Sequence, residues 1–162
     1  MSAHDKLNVA EQVERTAARL YRLLTETFPP GSEANKVFST LASEEDQHAA
    51  RINMLRSRYS RRPGDFEGFE LDVEQMSRLL GEGETLITLF SGEGFSVSVD
   101  EARRFMIELE RNFAGAHAQV MTLSSNPELK SFFETLARQD RMHAQVLEDL
   151  RGGDEARPAG PR

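Results

Sequence analysis

The feature that most constrains the fold of this chain is a segment that it carries twice. Residues 38 to 48 read FSTLASEEDQH, and residues 133 to 143 read FETLARQDRMH. Aligned without a gap, the two copies share Phe, Thr, Leu, Ala and a final His, and they place Glu45 opposite Asp140. Because residues i and i+3 lie on the same side of a helix, each copy sets a carboxylate and an imidazole together on an apolar helix face.

Apolar residues at helical spacing predict a helical hairpin in the first third of the chain. The first long helix is predicted over residues 8 to 28, with its start capped by the pattern Asn8-x-x-Glu11. The residues PPG at 29 to 31 end it, and Ser32 caps a second long helix that runs to about residue 59. So short a linker makes two helices neighbours, and we expect them to be antiparallel.

Residues 60 to 97 form a long, glycine-rich connection. A short helix is predicted within it from Asp72 to about Phe90, with Gly81 and Gly83 as weak points. The segment FSVSV at 95 to 99 alternates in polarity for five residues, but no strand pattern competes seriously with the helical one.

A second hairpin follows the connection. Ser98-x-x-Glu101 reads as a capping box that opens the third long helix, which ends near residue 123. The segment SSNP at 124 to 127 opens the fourth, which Gly152 and Gly153 end. Hairpin, crossover and hairpin predict an all-α, antiparallel four-helix bundle as one domain over residues 1–151, with a disordered tail over 152–162.

Each of the four apolar stripes is interrupted in its middle by ionisable residues. They are Glu14 in the first long helix, Glu45 and His48 in the second, Glu110 and His117 in the third, and Asp140 and His143 in the fourth. Antiparallel helices bring these positions to one level of the bundle. Four carboxylates in an apolar interior repel one another and lose hydration, so divalent cations that neutralise them are the simplest explanation.

Three further residues near these positions allow alternative interpretations. His117 matches Tyr21 in the duplicated pattern, and it is either a seventh ligand or, more commonly for such a residue, a hydrogen-bonding neighbour of the ligands. The hydroxyl of Tyr21 is predicted to donate a hydrogen bond to a carboxylate of the opposite hairpin, in preference to a role for Tyr21 as a redox group. Glu44 lies four residues before His48 and could replace Glu45 as a ligand, but the repeat favours Glu45.

Composition narrows the classes of partner and site. The absence of cysteine excludes disulfides and thiolate metal sites, so that any metal must have oxygen and nitrogen ligands. A formal net charge of −7 argues against nucleic acid or an anionic lipid surface as the main partner. No apolar run approaches the ~18 residues of a membrane span, and we expect a soluble, cytoplasmic protein.

The ligand spacing resembles that of the ferritin-like di-iron carboxylate superfamily, and most closely its rubrerythrin-type members. The resemblance covers residues from about 8 to 150 and is carried by the pattern Glu14…Glu45-x-x-His48…Glu110…Asp140-x-x-His143. It implies terminal ligands Glu14 and Glu110, bridging ligands Glu45 and Asp140, and one of His48 and His143 on each metal. It also implies two Fe ions, with Mn possible, and a homodimer.

The chain departs from the rubrerythrin pattern in three respects. Without cysteine it lacks the rubredoxin-like module, so electrons must come from an unidentified separate donor. Ile107 and Phe113 stand where a second glutamate would lie one turn from Glu110, which puts rubrerythrin-like peroxidase chemistry in doubt. Asp140 is one methylene shorter than the usual bridging glutamate.

The function that the resemblance implies is that of a di-iron oxidoreductase that oxidises Fe(II) with O2 or H2O2, as a ferroxidase or a peroxide-reducing enzyme. Phe38, Phe113 and Phe133 are expected to keep water out of the site. Two alternatives remain at this point: a non-enzymatic iron-binding or storage subunit that uses the same ligands, and a structural bundle with a degenerate metal site.

Overall fold

The computed structural model describes residues 1–152, and all regular secondary structure in this part of the chain is helical. The helices are α1 (Ala3–Thr27), α2 (Glu33–Arg61), α3 (Val73–Phe90), α4 (Val99–Leu123) and α5 (Pro127–Asp149), with a 3-10 turn at Pro63–Phe66. None of these helices is long and apolar enough to cross a membrane. Apart from Gly152, the tail predicted to be disordered lies outside the described residues.

Side-chain caps define the starts of three helices as predicted. Ser32 accepts a hydrogen bond from a backbone N–H in the first turn of α2, and Ser98 with Glu101 forms the capping box of α4. In α5, Asn126 is the cap and Pro127 occupies the first turn, where the missing N–H of proline costs nothing. Local sequence therefore determines these boundaries.

Two predicted boundaries were wrong. The helix α1 begins at Ala3 instead of Asn8, because Ser2 and Asp5 form a capping box earlier in the chain. The helix α5 ends at Asp149, before the two glycines, because Leu150 adopts an extended conformation and is buried in the core. Residues 95–98 form no regular structure, and residue 99 already belongs to α4.

The helices α1 and α2 form an antiparallel hairpin. Arg56, late in α2, lies 3.2 Å from Glu11, early in α1. Arg22, late in α1, lies 2.6 Å from Asp46, which comes before Arg56 in α2. The turn between the helices contains Gly31 at a φ of +82°, a left-handed conformation that favours glycine.

The helices α4 and α5 form a second antiparallel hairpin, which packs against the first. His117 of α4 lies 2.7 Å from Asp140 of α5, and Arg111 contacts Glu148 further along the pair. The core between the hairpins contains the largest fully buried aromatic side chains, Tyr21, Phe38, Phe113 and Phe133. Tyr21 contacts Glu110, and the ring of Phe133 lies 5.7 Å from that of His117, measured between centroids.

The helix α3, in the connection between the hairpins, lies along α1 and runs parallel to it. At one end Lys6 contacts Glu70, just before α3, and further along Arg19 lies 3.5 Å from Glu84. Between these contacts α3 is continuous through the two glycines that were predicted as weak points. A Cβ added at Gly83 would lie 2.5 Å from Cγ2 of Thr16, so glycine here permits the close approach of the two helices.

Replacement of Gly83 by alanine should therefore destabilise the protein by about 1–3 kcal/mol, as expected for overpacking against the buried Thr16. The matched control is Gly81→Ala in the same helix, where an added Cβ meets nothing within 4 Å. That variant should gain about 0.5–1 kcal/mol from the higher helix propensity of alanine. Urea unfolding followed by circular dichroism measures both free energies.

The double variant Thr16→Ser with Gly83→Ala identifies the cause, because serine lacks the clashing methyl group. In the Thr16→Ser background, Gly83→Ala should therefore cost much less stability than it costs in the unchanged protein. Equal stabilisation by alanine at positions 81 and 83 would contradict the close approach of α1 and α3.

Candidate metal centre

The four long helices bring their ionisable residues into one buried cluster. The carboxylates of Glu14, Glu45, Glu110 and Asp140 are fully buried, and His48, His117 and His143 are at most 3 % exposed. A buried carboxylate loses several kcal/mol of hydration, which partners within the protein must replace. The arrangement therefore requires compensating positive charge.

Six of these residues form two overlapping groups that could each hold a metal ion. One group is Glu14, Glu45, His48 and Asp140, and the other is Glu45, Glu110, Asp140 and His143. In each group the ligand atoms lie within 4.8 Å of one another. These are the six ligands expected from the sequence, and the two shared residues are the pair expected to bridge. His117 and Tyr21 lie outside both groups.

His48 and His143 each direct their Nδ1, the nitrogen that could bind a metal ion, at carboxylate oxygens of the cluster. His48 Nδ1 lies 3.2 Å from Glu14 Oε2 and 3.1 Å from Glu45 Oε2. His143 Nδ1 lies 2.6 Å from Glu45 Oε1 and 3.5 Å from Glu110 Oε1. A lone pair on nitrogen repels a carboxylate oxygen at such distances, so a proton or a metal ion has to lie between them.

Several buried atoms of the cluster make no hydrogen bond of acceptable geometry within residues 1–152. They are Glu14 Oε1, Glu45 Oε1, Glu110 Oε2, Asp140 Oδ1, His117 Nε2 and His143 Nδ1. Buried polar atoms in folded proteins are normally satisfied, and several such atoms at one place indicate a missing partner. Because every carboxylate of the cluster keeps one such oxygen, the donor set fits a divalent cation with oxygen and nitrogen ligands.

Charge crowding changes the protonation of the cluster when metal is absent. Burial raises the pKa of Glu45 well above its usual value, and the charges of Glu110 and Glu14 raise it further. Burial alone would lower the pKa of His48 and His143, but the neighbouring carboxylates raise the pKa of His48 to about 10 and that of His143 to about 11. The cluster thus retains protons that bound metal ions would displace.

Glu11 shows how the same chain neutralises a buried carboxylate that is not in the cluster. This residue is 2 % exposed, and its side chain pairs with Arg15 at 2.6 Å and with Arg56 at 3.2 Å. Among the described residues, the cluster carboxylates form no such pair with arginine or lysine, and histidines are their only cationic partners. The cluster is therefore built differently from a structural ion pair.

Tyr21 and His117 each hydrogen-bond a carboxylate of the cluster without belonging to either ligand group. The Tyr21 hydroxyl donates to Glu110 Oε1, and burial together with the Glu110 charge raises the pKa of Tyr21 well above its usual value, so the hydroxyl keeps its proton. His117 Nδ1 lies 2.7 Å from Asp140 Oδ2, and its Nε2 lies 3.1 Å from Glu14 Oε1. Both side chains occupy the places expected for neighbours of the ligands.

His48 and His143 separate the cluster from solvent. Their rings stack with centroids 5.4 Å apart and planes inclined by 11°. Above them lies a surface pocket of about 210 Å³, lined by Glu44, Gln47, His48, Arg51, Gln139, Met142 and His143. The pocket lies between α2 and α5 and reaches the two imidazoles, behind which the cluster carboxylates are buried.

Glu44 is the functional candidate that sequence reasoning missed. It was considered only as a substitute for Glu45, but its Oε2 accepts a hydrogen bond of 2.7 Å from His143 Nε2. The spacing of Glu44 and His48 could not reveal this contact, because the partner lies on the other hairpin. The register between α2 and α5 would have been needed to find it.

Comparison of the chain with protein-family models, with curated proteins and with solved structures found no match.

The shared position of Glu45 leads to a prediction about metal stoichiometry. Glu45→Ala should abolish binding at both groups, whereas Glu14→Ala should leave the group around His143 able to bind one ion. Addition of Mn(II) at a free concentration of 100 times the dissociation constant should stabilise the unchanged protein by about 2.7 kcal/mol for each bound ion, measured as a rise in Tm. Equilibrium dialysis with metal analysis gives the number of ions per chain.

The prediction depends on the folding of both variants, which circular dichroism checks. Retention of the Mn(II)-induced rise in Tm by Glu45→Ala would contradict a position for Glu45 between two ions.

Proposed function

We propose that this protein is a ferritin-like four-helix bundle that oxidises Fe(II) with O2 or H2O2 at a dinuclear carboxylate and histidine centre. The observation that carries the proposal is the pair of overlapping ligand groups, which have Glu45 and Asp140 in common. Together the two groups present four carboxylates, whose charge two divalent ions would balance.

The directions of the helices support the ferritin-like arrangement. Glu14 lies near His117, and Tyr21, later in α1, contacts Glu110, which comes earlier in α4. The helices α1 and α4 are therefore antiparallel. Since α1 is antiparallel to both α2 and α4, the helices α2 and α4 are parallel and need a connection that returns along the bundle. The helix α3, parallel to α1, is suited to be this crossover.

In the proposed centre, Glu14 and His48 hold one ion, Glu110 and His143 hold the other, and the two shared carboxylates hold both. Hard oxygen donors with one imidazole per ion suit Fe(II) or Mn(II). Two bound Fe(II) ions would supply two electrons, enough with two protons to reduce H2O2 to two water molecules or O2 to H2O2. The absence of cysteine leaves rereduction to a separate donor.

The surrounding residues orient the ligands and exclude water. Tyr21 hydrogen-bonds the terminal carboxylate of Glu110, and His117 hydrogen-bonds the shared carboxylate of Asp140. Each of the two side chains packs on a buried phenylalanine. The ring centroids of Tyr21 and Phe38 are 6.2 Å apart, and those of His117 and Phe133 are 5.7 Å apart. The interior side of the centre is therefore dry, and an oxidant would arrive through the pocket at His48 and His143. The homodimer and the cytoplasmic location stay predictions from the sequence.

Anaerobic addition of Fe(II) to the metal-free protein, followed by O2 or H2O2, tests this function. We expect two Fe(II) per chain and rapid oxidation, followed by absorbance in the near ultraviolet, with repeated turnover when a reductant or more Fe(II) is supplied. Glu45→Ala should lack both the binding and the oxidation above the rate in buffer.

Other outcomes separate this proposal from its alternatives. Binding of two Fe(II) without oxidation would support an iron-binding or storage subunit. An unchanged Tm in the presence of metal and of chelator would support a structural bundle and contradict the proposed function.

A further inference from the structure

The two histidines of the candidate centre occupy equivalent places in the repeat but have different neighbours. The alignment that pairs His48 with His143 also pairs Glu44 with Gln139. All four residues line the same surface pocket. The repeat thus places an acid beside one histidine and an amide at the corresponding place beside the other.

Glu44 determines which nitrogen of His143 faces the cluster. A carboxylate only accepts hydrogen bonds, so His143 Nε2 carries the hydrogen that Glu44 Oε2 accepts at 2.7 Å. This leaves His143 Nδ1 directed at Glu45 Oε1, 2.6 Å away. Glu44 therefore holds the ring with the ligand nitrogen directed inward and makes that nitrogen a better donor.

His48 lacks such a partner. Its Nδ1 faces Glu14 and Glu45, and its Nε2 makes no hydrogen bond with any residue in the described range 1–152. Gln139, at the place equivalent to Glu44, has its side-chain oxygen 3.5 Å from Arg51 Nη1 instead. An amide beside an imidazole would in any case supply no negative charge.

We propose that Glu44 is a positioning residue that makes the two metal positions unequal, so that the position containing Glu110 and His143 fills before the one containing Glu14 and His48. The inference rests on the proposed dinuclear centre. Its physical basis is that a carboxylate behind a metal-bound imidazole orients the ring and increases its basicity, an effect worth about 10- to 100-fold in metal affinity. Because Glu44 is half-exposed, we expect a value near tenfold.

The test is an anaerobic titration of the metal-free protein with Co(II), followed by calorimetry and by visible absorption. The unchanged protein should bind two ions in two steps of different affinity. Glu44→Gln should weaken the tighter step by about tenfold and leave the other nearly unchanged. Gln139→Glu should strengthen the weaker step. The double variant Glu44→Gln with Gln139→Glu should reverse the order in which the positions fill.

Variants that keep one of the two metal positions assign each binding step to its ligands. Glu14→Ala keeps the position of His143, and Glu110→Ala keeps that of His48. Glu44→Gln should reduce Co(II) affinity in the first background and have little effect in the second. An equal reduction in both backgrounds would indicate a merely structural role for Glu44 and overturn the inference.

A second readout uses the full two-position protein and does not depend on those variants. At one equivalent of Co(II), the Nε2 proton of His143 should give a paramagnetically shifted NMR signal that exchanges slowly with water, and Glu44→Gln should abolish it. Two equal binding steps in the unchanged protein would overturn the inference while leaving the dinuclear centre intact. No Co(II) binding at all would overturn the proposed function, and this inference with it.

Discussion

Burial of four carboxylates at one level of the molecule is the constraint on which the rest of the structure depends. Each long helix supplies one of them, and the aromatic core around them removes the water that would otherwise solvate the charges. Where this chain needs to neutralise a buried acid permanently, as at Glu11, it uses arginine. Within residues 1–152, the cationic partners of the cluster carboxylates are histidines, whose protons a metal ion can displace.

The sequence predicted the helices and the six clustered residues because both depend on spacing within single helices. An apolar stripe with an acid in its middle fixes the face of each helix, and short linkers fix the level at which hairpin partners meet. The contacts that could not be predicted depend on placement across the bundle. The proximity of Gly83 to Thr16 and that of Glu44 to His143 both require the lateral register of helices distant in sequence.

The internal repeat gives the two halves matching carboxylates and histidines, with Asp140 in place of a glutamate, but different neighbours. Tyr21 supports Glu110 with a neutral hydroxyl, whereas His117, its counterpart, lies between Glu14 and Asp140. Differences of this kind give the carboxylates of the two halves different electrostatic surroundings. In the proposed centre, the two metal positions would therefore be chemically distinct although their ligand sets are nearly the same.

The stacked imidazoles give the cluster two different sides. Both rings lie toward the surface pocket, whereas the interior side is made of carboxylates and phenylalanine rings. The nitrogen-containing side thus borders the surface pocket, and the side made of carboxylates and phenylalanine rings is enclosed. In the proposed centre, protons, ions and dissolved gases would consequently enter from the pocket side, and the opposite wall of the bundle can consist of apolar packing.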